Sequence, residues 1–181
     1  MKFKKTIFPI VIVGLFICAL PQKMLAQWSI GASYEIRNEK PKNGFGVRLE
    51  RDILQKIPVV NLGLRAHFSY FSEDNYIGKD KQTYGKIENY DYGIAAVGGV
   101  SVGLLTPYIG TGLGSTTTDL SGASKENSIY WNGFVGAKVS PIPVIKPFVE
   151  YRFQSAESFK QLKNSVDRSN GRLIFGISLA F

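Results

Sequence analysis

Eight stretches of this sequence alternate apolar and polar residues with a period of two. In the last of them, Phe175, Ile177 and Leu179 alternate with Gly176 and Ser178. Because successive side chains of a β-strand point to opposite faces of the sheet, each stretch is predicted to be a strand with one apolar and one polar face. The spacing of apolar residues along a helix fits these stretches less well. The sequence therefore predicts an all-β protein.

The eight stretches cover most of the chain after residue 27. The fifth is rich in glycine, and we expect Ile109, Thr111 and Leu113 to face outward from it. In the sixth, Phe134 interrupts an otherwise polar face. The stretches run over residues 28–37, 45–50, 60–70, 91–100, 107–115, 131–139, 149–154 and 172–181.

The connections between these stretches alternate in length. Three are short, and the others are mostly longer and polar. Membrane barrels sort their connections in this way, with short periplasmic turns and longer extracellular loops. In lipid an open sheet edge leaves backbone groups without partners, so the first strand must pair with the eighth. The prediction is an eight-stranded antiparallel transmembrane β-barrel of up-and-down topology, and a soluble secreted sandwich is the alternative. The short connections are 54–58, 103–105 and 141–146, and the others are 38–43, 72–89, 115–127 and 155–169.

Aromatic residues are expected to form two belts, one at each membrane interface. The periplasmic belt is predicted to contain Trp28, Tyr108 and Phe181. The outer belt is predicted to contain Tyr70, Tyr90, Tyr92, Trp131 and Phe153.

The first 26 residues have the features of a secretory signal peptide. Three lysines lie among the first five residues, an apolar run follows from Ile7 to Leu20, and Ala26 ends the segment. The run is short for a membrane-spanning helix. We therefore predict a cleaved signal peptide over residues 1–26 and one barrel domain over residues 27–181. An uncleaved N-terminal anchor is the alternative.

Charge and cysteine content exclude several classes of protein. The formal net charge is +8, but four of the 22 basic residues and none of the 14 acidic ones lie in the predicted signal peptide, which leaves +4. A nucleic-acid-binding surface is therefore not predicted. Cys18 is the only cysteine and His67 the only histidine, which excludes a disulfide framework and Cys-based or multi-His metal sites. We expect no cofactor and no metal.

Charged residues concentrate on the face that is predicted to point into the barrel. Eight strands enclose an interior just wide enough for side chains to fill, so these residues are predicted to plug the lumen. A narrow path for small solutes is the alternative. We expect opposite charges to pair, Glu50 with Arg65. Glu150 is expected to pair with Arg172 or Lys138. The predicted lumen cluster is Glu35, Arg37, Arg48, Glu50, Arg65, Asp91, Lys138, Glu150, Arg152 and Arg172.

His67 and Ser69 are the one hint of catalysis in the sequence. They share a face of a strand, and a histidine activates a neighbouring hydroxyl when a carboxylate orients its ring. The spacing is similar to the His-x-Ser of a family of eight-stranded outer-membrane lipid A deacylases, but Lys81 stands where that family has its acidic residue. The alternation also turns both side chains toward the lumen. We predict no catalytic residue, and a lipid A-modifying hydrolase that uses this pair is an alternative.

These features together resemble the small outer-membrane β-barrel family, which includes OmpX-like and OmpA-like barrels of the porin family. The resemblance rests on the signal peptide, the eight two-faced stretches, the segment Thr106–Gly114 and the terminal Phe181, and it covers residues 28–181. It implies that the last strand is the signal read by the barrel assembly machinery. The residues of that signal are Phe175, Ile177, Leu179 and Phe181.

The expected function follows from this architecture. We expect a monomeric integral protein of the outer membrane of a Gram-negative bacterium. Its role is expected to be structural or to lie in surface interactions through extracellular loops, chiefly 72–89 and 155–169. A narrow porin-like channel is the main alternative, and no enzymatic activity is expected. The expected partners are outer-membrane lipid, lipopolysaccharide and the assembly machinery.

Overall fold

The computed structural model describes residues 28–54, 60–77, 83–120, 125–142, 144–157 and 168–181. The predicted signal peptide lies outside these residues. Within them, no helix is long and apolar enough to cross a membrane. The strands are β1 Trp28–Arg37, β2 Asn43–Leu54, β3 Val60–Ile77, β4 Thr83–Val100, β5 Leu105–Leu120, β6 Glu126–Val139, β7 Ile145–Glu157 and β8 Arg168–Ala180.

The eight strands form one closed antiparallel sheet in chain order. Each strand pairs with its neighbours in the sequence, and β1 also pairs with β8, where Ala32 lies opposite Ile177. At this seam the amide of Trp28 donates to the carbonyl of Phe181 at 3.1 Å, and the amide of Phe181 donates to the carbonyl of Trp28 at 2.8 Å. Closure leaves no open sheet edge. The predicted eight-stranded up-and-down barrel is confirmed.

The two faces of the barrel differ sharply in polarity. Apolar side chains point outward, and Ile94 and Ile109 are 70% and 66% exposed. Charged side chains point inward, and Asp91 and Arg172 are 0% and 1% exposed. A protein in water would expose far less apolar surface, because removing that surface from water drives folding. This distribution therefore suits a barrel whose outer face is surrounded by lipid.

The two ends of the barrel are unequal. Trp28 and Phe181 lie at one end, which we call the terminal end. We call the opposite end the hairpin end. The two longest strands, β3 and β4, have 18 residues each. At the hairpin end they stay paired as far as Ile77 opposite Thr83. A tilted strand needs about 9–11 residues to cross the hydrocarbon layer. The β3–β4 hairpin therefore extends past the membrane.

The prediction of a long loop over residues 72–89 is wrong, because most of these residues belong to β3 and β4. Beyond the membrane there is no lipid to require an apolar face, so alternation fades while backbone pairing continues. The predicted loop over residues 115–127 is shortened in the same way by β5 and β6. Most of the predicted loop over residues 155–169 lies outside the described residues.

Inward aromatic rings share the interior with the charges, and each lies directly opposite a glycine. A Cβ at Gly110 would come within 2.2 Å of the Phe134 ring, and one at Gly176 within 2.4 Å of the Phe148 ring. Only glycine leaves room for these rings, which is why Phe134 fits a face that is otherwise polar. The opposed pairs are Phe71 and Gly44, Tyr108 and Gly136, Phe134 and Gly110, Tyr130 and Gly114, and Phe148 and Gly176.

The predicted aromatic belts need one correction. Tyr108, expected at the periplasmic rim, points into the lumen and is 3% exposed. Its neighbours Pro107 and Ile109 face outward, so strand alternation turns Tyr108 inward. Trp28 and Phe181 do lie at the terminal end. Toward the hairpin end, two ring pairs with centroids 5.1 Å and 6.4 Å apart are Tyr70 with Tyr90 and Trp131 with Phe153.

Candidate functional site in the barrel lumen

The lumen contains two layers of charged side chains. The layer nearer the terminal end centres on the buried carboxylate of Glu150. Arg65 donates to it at 2.6 Å, Arg152 at 2.7 Å and the Tyr108 hydroxyl at 3.0 Å. Arg48 forms a longer ion pair with it at 3.6 Å. One carboxylate thus connects side chains from β2, β3, β5 and β7.

Glu50 is the second carboxylate of this layer. It accepts a hydrogen bond from Arg65 Nε at 2.9 Å and pairs with Lys138. Arg65 therefore bridges Glu50 and Glu150, so each of these buried charges has a partner of opposite sign, as burial requires. Next to Glu50, Asp52 and Lys138 is a cavity of about 20 Å³, which is enough for one water molecule.

The layer nearer the hairpin end centres on Asp91 and Arg172. Arg172 donates to Asp91 at 2.7 Å and to Glu35 at 3.2 Å. Arg37 pairs with the same Asp91 oxygen and donates to Asn89 at 2.7 Å. These contacts join β1, β4 and β8 across the closing seam of the barrel.

The structure places all ten predicted lumen residues inside the barrel, although the pairing that was expected for Glu150 does not form. The pair of Glu50 with Arg65 is present. Glu150 pairs with neither Arg172, which lies in the other layer, nor Lys138, which pairs with Glu50. Strand alternation specifies which face a side chain occupies. It does not specify the depth at which tilted strands bring two side chains together.

Aromatic rings complete the network in a way that the sequence reasoning missed. The guanidinium carbon of Arg37 lies 3.3 Å from the centre of the Phe71 ring, and that of Arg48 lies 3.2 Å from the Phe148 ring. Stacked this closely, cation and ring attract each other, and the ring excludes water from the cation. The available signal was an inward aromatic residue opposite an inward glycine. Reading that signal requires the strand register.

His67 and Ser69 both point into the lumen, but they have different partners. The Nε2 atom of His67 lies 2.9 Å from the hydroxyl oxygen of Tyr130. The hydroxyl of Ser69 donates to Glu35 at 2.8 Å. The geometry therefore lacks the hydrogen bond between His67 and the Ser69 hydroxyl that would activate this serine as a nucleophile. Across the described residues, no group of three or more His, Cys, Asp or Glu side chains is arranged to hold a metal ion.

A smaller polar cluster lies at the base of the hairpin, where it includes Tyr70 and Tyr90 of the outer aromatic belt. The hydroxyls of Tyr70 and Tyr90 donate to the Glu88 carboxylate at 2.7 and 3.1 Å, and Lys86 pairs with it at 2.6 Å. The hydrogen bonds from Lys86 and Tyr70 lower the pKa of Glu88 to about 2. The carboxylate is therefore ionised at neutral pH, and these contacts tie the base of the hairpin to the rim.

Comparison with solved structures gives matches to outer-membrane barrels. Neisserial surface protein A has a TM-score of 0.58 at 17% identity, and the match covers 85% of this chain and 96% of that one. The N-terminal β-barrel domain of Pseudomonas aeruginosa OprF has a TM-score of 0.55 at 11% identity, over 86% and 97% of the two chains. This chain has the fold of the small outer-membrane β-barrels. The resemblance seen in the sequence is confirmed at the level of fold.

Two further comparisons limit what this fold implies. The outer membrane enzyme PagL is also similar, with a TM-score of 0.51 at 11% identity over 84% of this chain and 99% of that one. Proteins with this fold therefore include an enzyme, so the function of this chain has to be argued from its site. No protein-family model matches the chain, and no curated protein matches it.

Proposed function

We propose that this protein is a non-enzymatic barrel of the outer membrane, whose plugged lumen anchors the β3–β4 hairpin at the cell surface as a contact surface. The proposal is carried by the length of β3 and β4, which exceeds what a membrane crossing needs. Lipopolysaccharide is the expected neighbour of the hairpin and of the outer rim.

The orientation of the barrel is argued from its connections. At the terminal end, β4 and β5 are joined by a tight turn in which the amide of Val102 donates to the carbonyl of Leu105 at 2.8 Å. Gly103 in this turn has a φ of +61°, which residues with a Cβ rarely adopt. Outer-membrane barrels have their short turns in the periplasm. The hairpin end then faces the outside of the cell.

The proposed orientation is tested by epitope insertion in living cells. We expect a tag inserted between the ends of β3 and β4 to bind antibody on intact cells. A matched tag inserted at the Gly103 turn should bind only after the outer membrane is permeabilised. Access to the hairpin tag only after permeabilisation would contradict the proposal.

The proposed absence of transport is tested by ion conductance. The salt-bridged layers around Glu150 and Asp91 support a lumen without a continuous water path. We expect no unit conductance when the purified barrel is inserted into planar lipid bilayers. A stepwise increase in conductance each time a barrel inserts into the bilayer would instead favour the channel alternative.

A further inference from the structure

A groove of about 570 Å³ opens on the lipid-facing surface of β2 to β5. Its volume lies within the range of about 300–1,000 Å³ that is typical of ligand pockets. The groove exists because two outward side chains, Ala66 and Ala96, are small while their neighbours are large. The larger apolar side chains around it are Leu49, Leu64, Ile94 and Leu113.

The groove runs obliquely from the terminal end toward the middle of the barrel. It follows two adjacent rows of cross-strand partners, and the strands of such barrels tilt by about 35–45°. Both rows therefore begin near the terminal end of the barrel and end well inside β5. The first row is Trp28, Arg51, Leu64, Ala96 and Thr111, and the second is Leu49, Ala66, Ile94 and Leu113.

Arg51 is a cation on an otherwise apolar outward face. Its neighbours on that face of β2, Leu49 and Ile53, are 40% and 54% exposed. The guanidinium carbon of Arg51 lies 5.1 Å from the centre of the Trp28 ring, and indole rings are enriched at the depth of the lipid headgroups. Within the part of the chain that the structure describes, no carboxylate forms a salt bridge with Arg51. A positive charge thus lies at the end of the groove that is nearer the terminal end of the barrel.

We infer that the groove binds one phospholipid with an anionic headgroup from the periplasmic leaflet. Its phosphate pairs with Arg51, whose planar fork of N–H donors matches phosphate geometry. One acyl chain lies along Leu49, Ala66 and Ile94. The inference rests on the proposed placement in the outer membrane and adds a ligand to it.

Fluorescence quenching by brominated lipid tests this inference. The chain has two tryptophans, so Trp131→Phe leaves Trp28 at the mouth of the groove as the only reporter. Acyl-brominated phosphatidylglycerol is titrated into phosphatidylcholine bilayers that contain this protein, and brominated phosphatidylcholine is titrated in parallel. We expect phosphatidylglycerol to quench Trp28 with an apparent affinity about fivefold higher than that of phosphatidylcholine, which is the usual effect of one cation on an anionic lipid.

Matched variants separate the headgroup from the groove. We expect Arg51→Gln to abolish the preference for phosphatidylglycerol and Arg51→Lys to keep most of it, because lysine retains the charge. Ala66→Leu and Ala96→Leu should weaken quenching by both lipids, since they fill the groove. Ala32→Leu is the control, because Ala32 is an outward alanine on β1 that does not line the groove.

Three results would overturn the inference. One is equal affinity for the two lipids in the parent protein, and another is a preference that survives Arg51→Gln. The third is unchanged quenching in folded Ala66→Leu and Ala96→Leu proteins, where folding is checked by the mobility shift of unheated samples in gels. Failure of the membrane placement itself looks different, because no brominated lipid would then quench either Trp28 or, in a Trp28→Phe protein, Trp131.

Discussion

At the scale of single residues, the lumen of this barrel is filled with buried charges that pair with one another. The carboxylate of Glu150 contacts three arginines and the hydroxyl of Tyr108. Removing one member of such a network leaves the others desolvated and without a partner. That loss is larger than the net stabilisation that the intact network provides.

Glu150→Gln should therefore reduce the free energy of unfolding by about 3–5 kcal/mol, because three arginines lose their shared carboxylate. Urea unfolding of the refolded protein in detergent micelles measures this change. Glu73→Gln is the control, because Glu73 pairs with the exposed Lys40 at 3.5 Å and should change stability by less than about 1 kcal/mol. Equal effects of the two substitutions would argue against a stabilising plug.

The pairing of glycines with inward rings makes a second prediction at this scale. Gly110→Ala should lower the free energy of unfolding by about 1–3 kcal/mol, because the new methyl group overlaps the Phe134 ring. Gly98→Ala is the control in the same assay, because a Cβ at Gly98 has no heavy atom within 4 Å. A Gly110→Ala protein as stable as the Gly98→Ala protein would contradict the close approach of ring and strand.

At the scale of elements, the sequence predicted strands well where lipid requires an alternating face, and poorly elsewhere. All eight strands were predicted, but β3 and β4 continue beyond Tyr70 and Tyr90 with few apolar residues. Their continuation depends on backbone pairing across the hairpin, and this pairing requires no alternation of apolar and polar residues in the sequence. The partners of Glu150 could not be predicted either, since they depend on strand tilt and stagger. Tyr108 could have been placed correctly from the orientation already assigned to Ile109.

The last strand makes a prediction of its own, because it closes the barrel and resembles an assembly signal. Phe181→Ala keeps the backbone hydrogen bonds to Trp28 and removes only the ring. We predict a severalfold lower membrane-inserted fraction in cells and unchanged refolding in micelles. Phe45→Ala, which truncates an outward ring on β2, should leave the inserted fraction unchanged. Equal fractions for both variants would contradict a signal at Phe181.

At the scale of the whole molecule, closure makes the other properties possible. A sealed sheet satisfies every strand edge in a medium without water, and it encloses the charges that an open sheet would expose to lipid. It also holds the base of the hairpin and the groove on β2 to β5 in fixed positions on one cylinder. Closure depends on the pairing of β1 with β8, the two strands most distant in sequence.

An engineered disulfide across this seam tests closure most directly. Ser29 lies opposite Ala180, next to the hydrogen-bonded pair of Trp28 and Phe181, so their Cα atoms should be about 4.5 Å apart, within the range for a disulfide. In a Cys18→Ser background, we predict that Ser29→Cys with Ala180→Cys forms an intramolecular disulfide in the membrane-inserted protein. Ser29→Cys with Ile177→Cys, which are out of register because Ile177 lies opposite Ala32, should not. No disulfide in the first protein, or one that forms only between two chains, would contradict a closed barrel.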